Sequence, residues 1–352
     1  MDRVKVGLLG ATGLVGQVFV KILSGHPWFE LAVVAASPQR SGMKYGEAVS
    51  WVVGGEVPDG AADLVLVDPE WENFKDVDIV FSALPSSVAG GIEASMARRG
   101  LVVVSNARNY RLDPDVPLLV PEINHGHIGL ASRQRETRGW RGLLIKNPNC
   151  STAILVLSLK PLVDSLRVRR IYVTTLQALS GAGYRGGVLS MDIIDNVLPF
   201  IRGEEEKIES ETLKILGLIE DDRIKPAPFR VSATATRVAS LHGHLESVFL
   251  EAEDKVGEDD VREIYKGYKW PREVAGLPSA PREPVVVRGE EDRPQPRLDR
   301  DAGNGMSVVV GRIKAKEEGV LRYLVLGHNL VRGAAGNAVL IGELYAKWAG
   351  LV

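Results

Sequence analysis

Short, nearly unbroken apolar runs alternate with stretches of helical period over residues 1–150. Residues 4–9, 31–36, 76–84, 101–105 and 142–146 read as strands, and residues 14–24 and 91–98 as helices. Strands that are apolar on both faces belong inside a parallel sheet, with the helical connections as covering layers. The pattern therefore predicts a doubly wound α/β sheet for this half.

Past residue 150 the pattern changes. Residues 169–178, 230–237, 244–253, 306–316 and 321–327 read as longer strands, with helices expected at 187–197, 204–216 and 259–266. Fewer interleaved helices point to a mixed, largely antiparallel sheet with helices on one face, leaving the other for a partner subunit. Residues 281–304, rich in charge and proline, read as an extended arm or loop, packed on a neighbour rather than a free linker. Residues 329–351 form an apolar, alanine-rich helix expected to return to the first sheet.

Composition narrows the choice of partner. The 43 basic and 45 acidic side chains nearly cancel, so no field draws in nucleic acid or an anionic membrane, and a small-molecule partner is expected. No apolar run approaches the roughly 18 residues that span a bilayer. A single cysteine in 352 residues excludes an intrachain disulfide framework and a cysteine-based zinc cluster. A reducing, cytoplasmic setting and a site without metal follow as expectations.

Glycines at 10, 13 and 16 sit where the first strand meets the first helix, giving G-x-x-G-x-x-G rather than the G-x-G-x-x-G dinucleotide fingerprint. Such a turn brings a pyrophosphate against backbone N–H groups at a helix start. Gly10, Thr12, Gly13, Leu14 and Val15 are the candidate cradle. No acidic residue closes the second strand to hold ribose hydroxyls. Ser37, Arg40 and Ser41 stand there instead, hydroxyls and a cation suited to a 2′-phosphate, so NADP is expected over NAD. Leu84 and Pro85 follow the 76–84 strand and would pass beside the cofactor.

Cys150 lies in Asn147-Pro148-Asn149-Cys150-Ser151, between a strand and a helix. Free N–H groups and the positive end of the helix dipole stabilise a thiolate there, making Cys150 a candidate nucleophile against the plain alternative of a small buried hydrophobe. A nucleophilic thiol needs a proton-transfer partner. Of the six histidines, only His242 and His244 lie within a few residues of an arginine, Arg237, between two strands. On one unbroken strand the interval of seven would aim Arg237 and His244 to opposite faces, and a bend near Gly243 is the expected remedy. The small residues that close the 169–178 strand, Ser180 and Gly181 among them, suit close approach by a ligand ring. Glu204 and Lys207 share a helix face at i, i+3.

Taken together, GATGLVG (10–16), SNARNYRLDPDVPLLVPEIN (105–124), NPNCST, LQALSGAGY (176–184), DIIDNVLPFIRGEEEKIE (192–209), RVASLHGHLE (237–246) and NLVRGAAGNAV (329–339) resemble the aspartate-β-semialdehyde dehydrogenases of the archaeal and fungal branch. The resemblance spans almost the whole chain. It implies a Rossmann-like NADP domain at 1–149, completed by 329–352, and a catalytic and dimerisation α+β domain at 150–328. It implies NADPH-dependent reduction of L-aspartyl 4-phosphate to aspartate semialdehyde and phosphate, within lysine, threonine, methionine and isoleucine biosynthesis, by a homodimer or homotetramer. Cys150 would carry the acyl thioester and His244 act as general acid/base. Arg237 would hold the substrate α-carboxylate, Glu204 its amino group, and Arg111 with Lys207 its phosphate, with Arg108 as a competitor for that anion. Gln177 would orient the substrate, Asn149 would lie by the oxyanion, and Ser180, Gly181 and Asn329 would line the nicotinamide end. The NPNCST context separates the chain from N-acetylglutamyl-phosphate reductases. The intact Glu204–Lys207 segment argues against a malonyl-CoA reductase, and the retained cysteine, histidine and arginine against a non-catalytic NADP-binding regulator.

Overall fold

In a computed structural model of the protein, residues 3–184, 188, 190–316 and 318–352 are described. Six strands, β1 (Val4–Leu9), β2 (Phe29–Ala35), β3 (Leu66–Val67), β4 (Ile79–Ser82), β5 (Val102–Ser105) and β6 (Leu143–Lys146), form one sheet in the order β3-β2-β1-β4-β5-β6. Every pairing in it is parallel. The chain starts at the centre and winds outward both ways, which is the doubly wound, Rossmann-like arrangement.

Successive side chains of a strand point to opposite faces, and here both faces are filled. Leu8, Ile79, Phe81, Val104 and Ile145 share a core with the helices Leu14–Leu23 and Gly336–Trp348. Leu9, Val80, Val103 and Leu144 fill a second core under the Ser86–Arg98 helix. Burial on both sides is the reason these strands read as continuous apolar runs. The Gly336–Trp348 helix thus returns to the first sheet, and a Cβ at Gly342 would sit 2.7 Å from the Phe81 ring, so the helix rests directly on β4.

The rest of the chain supplies β7 (Val168–Gln177), a hairpin of β8 (Leu218–Glu220) and β9 (Arg223–Lys225), then β10 (Arg230–Arg237), β11 (His244–Ala252), β12 (Val285–Val287), β13 (Val308–Lys316) and β14 (Val320–Gly327). The large sheet runs β10-β7-β11-β14-β13-β12. Its β10·β7 and β12·β13 pairs are parallel and the other three antiparallel, the mixed, largely antiparallel sheet expected. Val173, Val248, Val310 and Val325 turn one face toward the helices Cys150–Ser165 and Glu258–Gly267. The opposite face leaves the cross-strand neighbours Tyr172 and Phe249 exposed at 41% and 43%.

Two segments depart from the sequence pattern. Of the helix expected at 187–197, residues 187 and 189 lie outside the described residues, and the described part holds one short helix, Ser190–Ile193. The 281–304 segment folds against its own chain. Val285–Val287 pairs with β13 as an edge strand, and Arg293 forms an ion pair with buried Asp299 just past the strand.

Candidate active site

The glycine turn shapes the first part of the site. Gly10 adopts φ +77°, and a Cβ there would lie 2.9 Å from the Ala83 carbonyl oxygen; one on Gly16 would lie 2.2 Å from the Gly10 oxygen. Both positions require glycine, so β1 passes into its helix close to the chain that follows β4. Beside the turn runs a groove of about 740 Å³, walled by Gly10, Thr12, Gly13, Leu14, Ser37, Arg40, Leu84 and Pro85. These residue types fit a dinucleotide: free N–H groups at a helix start for the pyrophosphate, and a hydroxyl with a guanidinium for a 2′-phosphate. Ser41 is exposed and closes the short turn Pro38–Arg40, off the groove wall. Gly183 and Tyr184 complete the wall; Gly183 ends the run of small residues expected to lie close to a ligand ring, whereas Tyr184 was given no role from the sequence.

Against the groove lies a smaller cavity of about 270 Å³. Leu14 and Pro85 face the groove while their neighbours Val15 and Ser86 face the cavity, so the two spaces adjoin. Cys150 is on the cavity wall, with Ser180, Gly181 and Asn329.

Cys150 is the first residue of its helix, where the backbone N–H groups lack intrahelical partners. Asn149 caps that helix: its Oδ1 accepts from the N–H groups of Ser151 and Thr152, and its Nδ2 donates to Glu204 at 2.6 Å. The side chain of Asn149 is thus committed to capping and to Glu204. The sulfur lies 3.2 Å from His244 Nε2. Ala178 N–H donates to Nδ1 of the same ring at 3.0 Å, which assigns the proton of the neutral ring to Nε2, facing the sulfur. Burial holds His244 down to about 3, against the pull of Glu204, so the ring is neutral at working pH. Burial likewise pushes the Cys150 thiol up to about 12, reinforced by Glu204 and opposed by Lys207 and Arg237.

Arg237 and His244 converge without a bend in one strand. They end β10 and begin β11, two strands that flank β7 on either side, and the intervening loop crosses its end. Arg237 is buried with Nη1 donating to the Ala178 carbonyl at 2.7 Å, and burial lowers its pKa. A Cβ at Gly181 would come within 3.0 Å of Arg237 Nη1 and 3.1 Å of the His244 ring, so a larger residue would press both side chains back from this space. His242 points elsewhere, stacking on His328 at 5.7 Å.

Glu204 and Lys207 form an ion pair at 2.5 Å on the cavity wall. Burial works against ionisation of Glu204, but Lys207 and the amides of Asn149 and Gln177 outweigh it and hold the carboxyl below its usual range. Gln177 sits behind the wall, donating to Ser151 Oγ at 2.9 Å and Glu204 at 3.1 Å. Asn329 bridges Gly243 N–H and Ser180 Oγ, both at 2.9 Å. Arg111 and Arg108 both border the cavity. Arg111 is bound to Glu211 at 2.8 Å, and Glu211 also accepts from the Asn149 N–H at 2.6 Å. Among the described residues no group of three or more His, Cys, Asp or Glu side chains is placed to hold a metal ion.

The pattern of the semialdehyde dehydrogenase NAD-binding domain matches residues 5–131, and that of the semialdehyde dehydrogenase dimerisation domain matches residues 159–332. The chain is 52% identical over 345 residues to an aspartate-semialdehyde dehydrogenase of Archaeoglobus fulgidus, covering 98% of each. It is 50% identical to that of Methanothermobacter thermautotrophicus, covering 97% of this chain and 98% of the other. The crystal structure of the Candida albicans aspartate-semialdehyde dehydrogenase with NADP superposes with a TM-score of 0.90 at 41% identity, covering 100% of both chains. The chain belongs to the aspartate-semialdehyde dehydrogenase family, in its archaeal and fungal branch.

This member of the family holds its cysteine segment from behind with a network of polar groups, most of them fully buried. Lys146 pairs with Glu93 at 3.0 Å and donates to Ser105 at 2.5 Å, fixing the end of β6. Asn147 donates to Asn106 at 2.8 Å and accepts from Asn337 at 2.6 Å, and Asn337 in turn accepts from Arg332, which pairs with Glu122. Leaving any one of these groups unpaired in the interior is costly, so the network locks the loop that presents the sulfur.

Proposed function

We propose that the chain is an NADP-dependent aspartate-semialdehyde dehydrogenase, reducing L-aspartyl 4-phosphate to L-aspartate 4-semialdehyde and phosphate. The supporting observation is the Cys150 sulfur, at a helix start and 3.2 Å from His244 Nε2, in a cavity ringed by cations and adjoining a dinucleotide-sized groove.

The chemistry follows from those groups. An acyl phosphate is already activated, so the sulfur displaces phosphate to give a thioester on Cys150, and the thiol proton leaves with the phosphate. His244 Nε2–H donates to the sulfur as it becomes anionic. Transfer of a proton through the ring, the acid/base role proposed for it, requires Nδ1 to give up the Ala178 N–H; the resting ring acts first as a donor. When bound, NADPH supplies the hydride that reduces the thioester. The oxyanion of the tetrahedral intermediate on Cys150 meets the Cys150 N–H, the Ser151 and Thr152 N–H groups being held by Asn149, which keeps that turn in place. Collapse frees the aldehyde and returns a thiolate, which His244 holds until a solvent proton arrives.

Substrate anchoring uses partners already in place. Arg237 takes the α-carboxylate, and the substrate ammonium replaces Lys207 on Glu204, releasing Lys207 to join Arg111 on the phosphate. Gln177 keeps Glu204 and Ser151 aligned. A homodimer or higher assembly through the exposed Tyr172–Phe249 face agrees with the family's dimerisation domain over 159–332. The enzyme is assigned to the cytoplasm and to lysine, threonine, methionine and isoleucine biosynthesis; among the described residues no helix is long and apolar enough to cross a membrane.

The test is NADPH oxidation with aspartyl phosphate beside malonyl-CoA, plus mass spectrometry of Cys150 after substrate without NADPH. Turnover with aspartyl phosphate and an acyl adduct on Cys150 are expected. Turnover confined to malonyl-CoA, or none, sinks the reading.

A further inference from the structure

The substrate carries more negative charge than the assigned phosphate anchors can balance. Arg111 has Nη1 on Glu211 at 2.8 Å and Nη2 on the Asn106 carbonyl at 2.6 Å, leaving only Nε without a partner. Lys207 is paired with Glu204. Arg108 borders the same cavity as Cys150 and is exposed, and among the described residues its guanidinium makes no hydrogen bond or ion pair.

Charge counting makes the need explicit. Four cations, Arg108, Arg111, Lys207 and Arg237, stand at the site against two carboxylates, Glu204 and Glu211. The nearby Glu246 is fully buried with both oxygens lacking partners, and burial raises its pKa well above the usual carboxylate range, so it is left out of the count. The site is therefore two charges positive. Aspartyl phosphate, with an ammonium, a carboxylate and a phosphate dianion, is two charges negative. Without Arg108 the bound complex would keep an unbalanced negative charge in a partly enclosed cavity, which is disfavoured.

The backbone presents Arg108 deliberately. Residues 108–111 form a β-turn in which the Arg111 N–H donates to the Arg108 carbonyl at 3.3 Å, bringing the two arginines side by side. Tyr110 takes φ +65° in this turn, a conformation side-chain-bearing residues seldom adopt. Arg108 N–H is fixed to Ser86 Oγ at 3.2 Å, and Ser86 is itself on the cavity wall.

We propose that Arg108 is a phosphate-binding residue of this enzyme, its free guanidinium closing on the phosphate that Arg111 and Lys207 hold from the other side. The proposal rests on the function given above. Its test is the phosphate-dependent oxidation of aspartate semialdehyde by the full-length enzyme. Arg108→Ala should raise the KM for inorganic phosphate about tenfold, the weight of one charge-assisted hydrogen bond, while the KM for aspartate semialdehyde and the Kd for NADP stay within about twofold. Arg108→Lys, which keeps the charge, should recover a large part of the loss. An unchanged phosphate KM in a folded Arg108→Ala enzyme overturns the proposal. So does a change confined to the NADP Kd, which would place Arg108 on the cofactor instead. Absence of phosphate-dependent turnover in the wild-type enzyme would instead sink the function itself.

Discussion

The Cys150 sulfur and His244 Nε2 lie 3.2 Å apart although 94 residues separate them in the chain. Each stands at the start of its element, Cys150 on the helix after β6 and His244 on β11. The pair forms where the C-terminal edge of the parallel sheet meets one end of the mixed sheet. It therefore reports on the docking of both halves of the molecule.

That geometry separates the two neighbouring histidines. His244→Asn should lower kcat by about 10²–10⁴-fold, the usual worth of a positioned proton-handling group. His242→Asn should change it by less than about threefold, since His242 stacks on His328 and sits away from the sulfur. Steady-state kinetics on both variants decide the matter, and the reverse order would transfer the role to His242.

Arg237→Lys keeps the charge but replaces a planar fork with a point donor. Nη1 already holds the Ala178 carbonyl, and a lysine cannot keep that contact and pair with a carboxylate in the same geometry. The KM for aspartate semialdehyde should rise about tenfold or more, with kcat falling as well. Kinetics equal to wild type would remove Arg237 from the carboxylate site.

Parts of this site were legible in the sequence because their signals are local. The glycines at 10, 13 and 16 mark a turn whose sterics exclude any side chain at Gly10 and Gly16. Continuous apolar runs announced a sheet covered on both faces. The convergence of Arg237 with His244 was not local. An odd interval argued against it on one strand, and the answer was two strands placed on either side of β7. Glu211 gave no signal at all. It reads as one more acidic residue on a charged helix, and only the fold brings Arg111 to it from 100 positions away. Within the 281–304 segment charge hid the edge strand, because its three valines form a strand only when β13 offers an edge.

Stability should fall as the solution is acidified. His127 is held neutral, with Nε2–H donating to the Gly217 carbonyl at 3.2 Å and Nδ1 accepting from Asn124 at 3.0 Å. Burial brings its pKa down to about 4, as it does for His328. An unfolded chain takes up these protons near the ordinary value of about 6.5. Between that value and about 4 the unfolded state binds more protons, so the folded state loses ground as pH drops and is favoured as pH rises. Tm measured from about pH 7.5 to 5 should decline, and His127→Gln should flatten the decline. A Tm independent of pH over this range contradicts the account.

Gly333 gives the sharpest steric prediction. It lies in the single π-helical turn Val331–Ala335, a rare geometry often found at functional sites, which leads into the C-terminal helix. A Cβ on it would sit 2.7 Å from Cys150 Cβ and 3.0 Å from Cys150 Cα. Neither neighbour has room to move. Cys150 begins a helix capped by Asn149, and the Gly333 N–H is bound to the His328 carbonyl at 3.1 Å. Gly333→Ala should therefore displace the nucleophile by a few tenths of an ångström and tilt it from His244, a misplacement that lowers kcat about 10- to 100-fold. The overpacking should also cost about 1–3 kcal/mol of stability. Gly333→Ala leaves every hydrogen-bonding side chain intact, so a lost rate together with slowed alkylation of Cys150 would trace the defect to the position of the sulfur. Wild-type kcat and alkylation rate in the variant would show that the turn yields without disturbing the sulfur.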